Sequence, residues 1–186
     1  MLLEITLNDF IISVLASLLA SFIFLFLILF FLAPSIKISP FIVRRNGITS
    51  RNEPETVYVF KFINKSFFKC FDINLELFKL ESLPQEEGKW DTRFKRMDMV
   101  ESSLKFVPGF WYFGEINKTA NFAVLPKTFD DIESLIDDDH VYLQLQVTAR
   151  HGLTGLSRVF KKDFALARHC IKSGKHRHGK YLNTLQ

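Results

Sequence analysis

FIISVLASLLASFIFLFLILFFL, residues 10–32, contains no charged side chain and only three hydroxyls. About 20 apolar residues suffice to cross the hydrocarbon core of a bilayer, so this run predicts a transmembrane helix over residues 10–33. Its small residues are regularly placed: Ser13, Ser17 and Ser21 are four apart, with Ala16 and Ala20 between them. On a helix those five share one face. In lipid, helices associate where small residues let backbones approach, so this stripe predicts a self-association face. The alternative is that Ser and Ala are simply tolerated there. Past Phe22 the helix is bulky on every side, which puts the closest approach in its first half.

The flanks set topology. Glu4 and Asp9 precede the run with no Lys or Arg, the wrong charge for the start of a cleaved signal peptide. The run is also too long for a signal core, and Phe31-Leu32-Ala33 followed by Pro34 is a poor cleavage site. A retained anchor is expected. Lys37, Arg44, Arg45 and Arg51 lie after the helix, which puts the following domain in the cytoplasm. Residues 1–9 are then a short stub on the other side. Cys70 and Cys170, the only cysteines among 186 residues, are expected as reduced thiols in that compartment.

Beyond the anchor the chain reads as many short strands. Pro34 and Pro40 end the helix, and residues 37–45 alternate loosely as a first strand. Asn46-Gly47 signals a turn. Residues 56–63 are β-branched and aromatic throughout, and Asn64-Lys65-Ser66 turns them. In residues 71–80, Phe71, Ile73, Leu75 and Leu77 alternate with Asp72, Asn74, Glu76 and Phe78, the pattern of a half-buried strand. Weaker strands are expected at 94–99, 103–107 and 121–125. A short helix is expected at 128–136, with Thr128 as its cap. Val141, Leu143, Leu145 and Val147 alternate with Tyr142, Gln144, Gln146 and Thr148, the clearest strand of all. Residues 150–155 turn it, and 156–164 return. The expected class is mainly β: one transmembrane helix, then an antiparallel β-sandwich over residues 34–166 and a basic tail over 167–186.

The order of these pieces resembles the cytoplasmic domain of inward-rectifier potassium channels, together with the end of the inner helix that carries it. The residues that carry the likeness are Tyr58-Val-Phe-Lys-Phe-Ile-Asn-Lys-Ser66, the acidic stretch Phe129-Asp-Asp-Ile-Glu-Ser-Leu135, the turn Gly152-Leu153-Thr154 with Arg158 beyond it, and Ile171-Lys-Ser-Gly174-Lys-His176. The resemblance implies an immunoglobulin-like sandwich that assembles with copies of itself. It also implies a hairpin turn of interest at Arg150, His151, Gly152, Thr154 and Arg158. Departures from the family are equally informative. These 186 residues hold no Thr-Val-Gly-Tyr-Gly-like filter, and without rings of carbonyls there is no potassium selectivity. Where the family carries a pore-facing acid near the turn, Ala149 stands beside Arg150. The family's phosphoinositide-binding cluster is reduced to Lys37, Arg44 and Arg45.

No Gly-x-Ser-x-Gly, His-Glu-x-x-His, P-loop or Cys-x-x-Cys appears, so no enzyme and no cofactor are expected. Cys170, His169, His176 and His178 have the chemistry of metal ligands, but they read as part of a solvated basic tail, and no metal site is assigned. Asp137-Asp138-Asp139 reads as a charged turn rather than a calcium site. His151 reads as a turn histidine. Lys172, Lys175 and Arg177 complete, with Lys37, Arg44 and Arg45, a candidate set for anionic lipid headgroups, worth about 1 kcal/mol per residue near the surface. No aromatic platform accompanies the charges, so nucleic acid is not an expected partner. The expected role is an oligomerising accessory or regulatory module of a channel-like assembly, with a pore-bearing or signalling protein as the candidate partner. A membrane-permeabilising effector and a plain scaffold are the alternatives.

Overall fold

A computed structural model describes residues 7–31, 33–48, 54–84, 90–110, 121–136, 140–152 and 154–185. About half of the described residues lie in strands, so the architecture is mainly β behind one long helix. That helix, α1, runs Leu7–Phe31. Its stretch Asn8–Phe30 is long and apolar enough to cross a membrane. The strands follow as β1 (Ile36–Ile38), β2 (Ile42–Ile48), β3 (Pro54–Val59), β4 (Phe62–Asn64), β5 (Cys70–Pro84), β6 (Trp90–Met97), β7 (Ser103–Val107), β8 (Ala123–Val124) and β9 (Lys127–Thr128). Helix α2 (Ile132–Leu135), β10 (Val141–His151), β11 (Ser157–Ala165), helix α3 (Ala167–Cys170), β12 (Ile171–Ser173), β13 (Lys175–His176) and β14 (Thr184–Leu185) complete the chain.

The largest sheet is ordered β11-β10-β5-β6, all antiparallel. At 15 residues β5 is long enough for β7 to pair beside β6 on the same edge. Two smaller sheets, β1-β4-β8 and β12-β2-β3-β9, supply the facing layer. One core joins the two: Ile36, Ile42, Tyr58, Phe60 and Phe62 from the smaller sheets pack with Ile73, Leu75, Leu77, Leu143, Leu145 and Val147 from the larger. Phe60 meets Phe164 edge-on at 5.6 Å. The period-two alternation of β10 holds along its length, with 141, 143, 145, 147 and 149 all inward.

Several expected elements divide or move. The single strand expected at 37–45 is two strands in different sheets. Pro40 lacks an N–H for a ladder, and the Ser39 hydroxyl accepts from Phe41 N–H to turn the chain. Likewise residues 56–63 form β3 and β4, which change sheets at Phe60-Lys61. Asn46-Gly47 is not a turn but part of β2, paired with Thr56 and Glu55, because β3 extends far enough to ladder with it. Asp72 adopts φ 47°, and the β5–β10 register shifts there, so one extra residue is accommodated on β5. This bulge reverses the inward parity. Cys70 is therefore buried, and Phe71, expected inward with Ile73, is turned half out. Thr128 does not cap a helix. It sits in β9, donating to Asp98 O at 2.6 Å and accepting from Asp130 N–H at 3.2 Å. Asp131 precedes α2 instead. Of the acidic turn, residues 137–139 lie outside the described residues.

Nor is the segment after residue 166 a detached tail. β12 pairs in parallel with β2, and β13 pairs with β14. The cause is Lys61, a lone cation in an otherwise apolar strand run and almost fully buried. Its Nζ donates to the carbonyls of Arg177, Gly179 and Tyr181 at 2.6, 2.8 and 2.8 Å. An ammonium has three donors, and three inward carbonyls satisfy them all. His176 adds a 2.9 Å bond to Val59 O. Because that carbonyl only accepts, His176 Nε2 carries the proton. The Ser39 hydroxyl donates to Leu182 O at 2.8 Å.

Candidate membrane-facing site

Residues far apart in sequence meet at the end of the domain where α1 enters it. Ser35 lies four residues beyond Phe31, the last residue of α1. Its N–H donates to Ser66 Oγ at 2.7 Å, and Lys65 N–H donates to Ser35 O at 2.7 Å. Ser35 is therefore fastened to the loop of residues 64–69. That loop is built around Asn64, which is fully buried. Asn64 Nδ2 donates to the carbonyls of Phe68, Val107 and Pro108 at 3.1, 3.2 and 3.0 Å. Its Oδ1 accepts from Ser66 N–H at 2.9 Å. Phe110 N–H donates to Ser66 O at 2.9 Å. Gly109 is required, since a Cβ there would stand 2.4 Å from the Phe67 carbonyl oxygen.

The hairpin turn between β10 and β11 reaches the same place. Gly152 N–H donates to Lys69 O at 3.3 Å, and a Cβ on Gly152 would meet the Phe71 ring at 2.6 Å. The His151 ring packs edge-on against Phe68 at 5.6 Å. Thr154 Oγ1 lies 3.3 Å from His151 Nδ1, and Gly155 closes the turn at φ 68°. Burial pushes the His151 imidazole below its ordinary pKa, so it is neutral here. Of the other turn residues, Ala149 is buried, Arg150 is exposed and ion-paired with Asp72, and Arg158 lies over the Phe160 ring at 5.4 Å. The acid at this turn thus comes from the β5 bulge.

The six basic residues lie on β1, β2, β12, β13 and just after β13. Lys37 is exposed on β1, beside the helix exit. Arg44 is committed to Glu133, bonding both carboxylate oxygens at 2.8 and 3.0 Å. Arg44 pairs across β2–β3 with Tyr58, which lies six residues, about 20 Å of contour, from Asn64. Arg45 and Lys172 flank Val43 and Arg44 on β2 and β12. Lys175 lies on β13, and Arg177 stacks over Tyr181 at 3.9 Å. The five small residues of α1 are all exposed. Ser13 Oγ donates to Phe10 O at 2.8 Å and Ser21 Oγ to Ser17 O at 2.9 Å. These hydroxyls are satisfied within their own helix, so the stripe can act through its small size.

Elsewhere, a cleft of about 380 Å³ lies between β5–β6 and α2. Lys79, Lys95 and Arg96 line it together with Asp98, Asp130 and Asp131. Tyr58 donates to Oδ1 of the lining residue Asp131 at 3.1 Å; burial, then this bond, push the phenol up to about 12. Among the described residues no group of three His, Cys, Asp or Glu is placed to hold a metal ion. Cys170 and His176 are turned to separate partners, Leu166 O and Val59 O. Among the described residues Cys70 and Cys170 are buried and not joined in a disulfide. Sequence reasoning missed Lys61, Asn64 and Phe67-Phe68. The one legible signal was a charged residue inside the apolar run Val57–Ile63, where a buried lysine demands acceptors. No protein-family profile matches the chain, and neither does any curated protein.

Proposed function

We propose that the chain is a single-pass membrane protein whose β domain lies in the cytoplasm, resembles the inward-rectifier cytoplasmic domain, and regulates a channel-like assembly as a non-catalytic, self-associating module. The spanning stretch has 23 residues, about 35 Å of helix against about 30 Å of hydrocarbon core. The acidic flank before it and the basic flank after it favour the cytoplasmic side. The observation that carries the regulatory reading is the coupling at Ser35. Two hydrogen bonds of 2.7 Å join the helix exit to the Asn64-centred loop, and the β10–β11 turn rests on that loop. The β domain is thereby bonded at Ser35, four residues after α1, which supports passing a shift of the domain towards the helix. Selectivity would come from a partner that contributes carbonyls at membrane depth. The test is the mass of the detergent-solubilised protein. An oligomer is expected, and a monomer at working concentration refutes the reading. Release of dye from liposomes by the pure protein would instead assign a membrane-permeabilising effector.

A further inference from the structure

We propose that Phe67 and Phe68 are an aromatic foot that seats the β domain on the interfacial layer of the bilayer leaflet from which α1 emerges. The inference rests on α1 spanning the membrane.

Placement comes first. Ser35 is within about 14 Å of chain from the end of α1, since an extended residue spans at most about 3.6 Å. Lys65 and Ser66 are hydrogen-bonded directly to Ser35, so Phe67 directly follows a residue bonded to Ser35. The apolar helix is about 5 Å longer than the hydrocarbon core, and a headgroup layer roughly 5–7 Å thick lies beyond that core. This chain length keeps the foot within reach of that layer.

Presentation comes second. These rings are held in place by the loop: Asn64 bonds the Phe68 carbonyl, Phe110 bonds Ser66, and Gly109 lies tight against the Phe67 backbone. With the loop backbone so fixed, Phe67 remains 47% exposed and Phe68 42%. Phe68 also leans on His151, so the hairpin turn backs the foot. Two phenylalanines on a locked turn keep nearly half of their surface in water, and the layer beside them removes that exposure.

Chemistry comes third. Lys65 and Lys69, both exposed, bracket the rings. Aromatic rings with cationic neighbours suit the zone between acyl chains and phosphates, where stems lie in apolar surroundings and ammonium heads reach water.

The experiment is nitroxide depth measurement on the full chain in phosphatidylcholine–phosphatidylglycerol vesicles. Phe67→Cys and Phe68→Cys are labelled beside a helix reference, Phe26→Cys, and a domain reference, Asp163→Cys. Cys70 and Cys170 are buried, and the labelled parent protein supplies the background. Unchanged near-ultraviolet circular dichroism certifies each fold. Positions 67 and 68 should gain oxygen accessibility and lose nickel-chelate accessibility relative to 163, reaching values between 163 and 26. If 67 and 68 match 163 while 26 reads as buried in lipid, the foot is wrong and the spanning helix stands. If 26 also reads as aqueous, the spanning reading fails and the foot with it. If 67 and 68 read as aqueous but show spin–spin broadening that dilution with unlabelled protein removes, a second copy covers the patch and the proposal is overturned.

Discussion

Replacing Lys61 with Met should release residues 177–181 from the domain. Lys61 Nζ bonds three carbonyls at 2.6, 2.8 and 2.8 Å, and one of them belongs to Arg177, whose following peptide bond is a trypsin site. Each hydrogen bond to a charged group contributes about 1.5–3 kcal/mol. The three do not simply add. Burial already pushes the Lys61 ammonium below its ordinary pKa, an offset within the folded state, and the freed carbonyls regain water once the segment lifts. A net loss of about 3 kcal/mol is expected, which raises the population of the lifted form about 100-fold. Met keeps the length and apolar stem of the side chain, so Phe60 and Phe62 beside it should stay packed. The assay is limited trypsinolysis of the full chain in detergent, with mass readout of cleavage after Arg177 and Lys180. When reclosing is faster than cutting, the cleavage rate follows the lifted population. The variant should be cut about 100-fold faster there, with little change at sites inside the sheets. Equal rates and an unchanged melting midpoint in Lys61→Met would show that the three bonds do not hold the segment.

Acidification should act on the same segment through His176. Burial, then the Lys61 and Arg45 charges, outweigh the Val59 hydrogen bond and lower its pKa from 6.5 to about 4. Unfolded chain binds the proton first as pH falls, so the contribution is fully present above about 6.5 and is lost towards pH 4, by roughly 3 kcal/mol. Thermal melts from pH 7 to pH 4.5 should show this loss in the parent and a shallower slope in His176→Gln; parallel slopes would exclude His176. Asn64→Ala should destabilise by about 2–4 kcal/mol, because three carbonyls and one N–H lose their partner, as read by urea unfolding; a cost below about 0.5 kcal/mol would mean the loop holds itself. Ser17→Leu with Ala20→Leu should weaken helix self-association in a membrane-association assay, since larger side chains hold backbones apart, and no loss would remove the stripe as the interface. Pure protein in planar bilayers should carry no potassium-selective current, because only apolar and hydroxyl side chains are available to line a helix-walled hole; currents reversing at the potassium equilibrium potential would contradict this.

Where the determining interactions are local, the chain's order alone decided the outcome. Residues 10–32 can satisfy every backbone group only by helix in an apolar medium, and α1 is that helix. The alternation from Val141 to Val147 places one side of a strand inward whatever its partner, and β10 keeps that pattern. Strand β7 covers the expected residues 103–107. Tertiary structure decided everything that depended on a distant partner. Where strands break at Pro40 and at Phe60-Lys61 follows from which sheet each half joins. Whether Asn46-Gly47 turns or pairs depends on the reach of β3. The parity of β5 depends on a one-residue bulge against β10, which no alternation within β5 encodes. The last twenty residues read as a basic tail because their charges are visible and their carbonyls are not. Lys61 finds those carbonyls 116 to 120 residues away. The loop that Ser35 joins is assembled in the same way, largely by Asn64 and Ser35 meeting backbone groups. Backbone groups are alike in every residue, so nothing in a one-dimensional pattern marks which of them will meet.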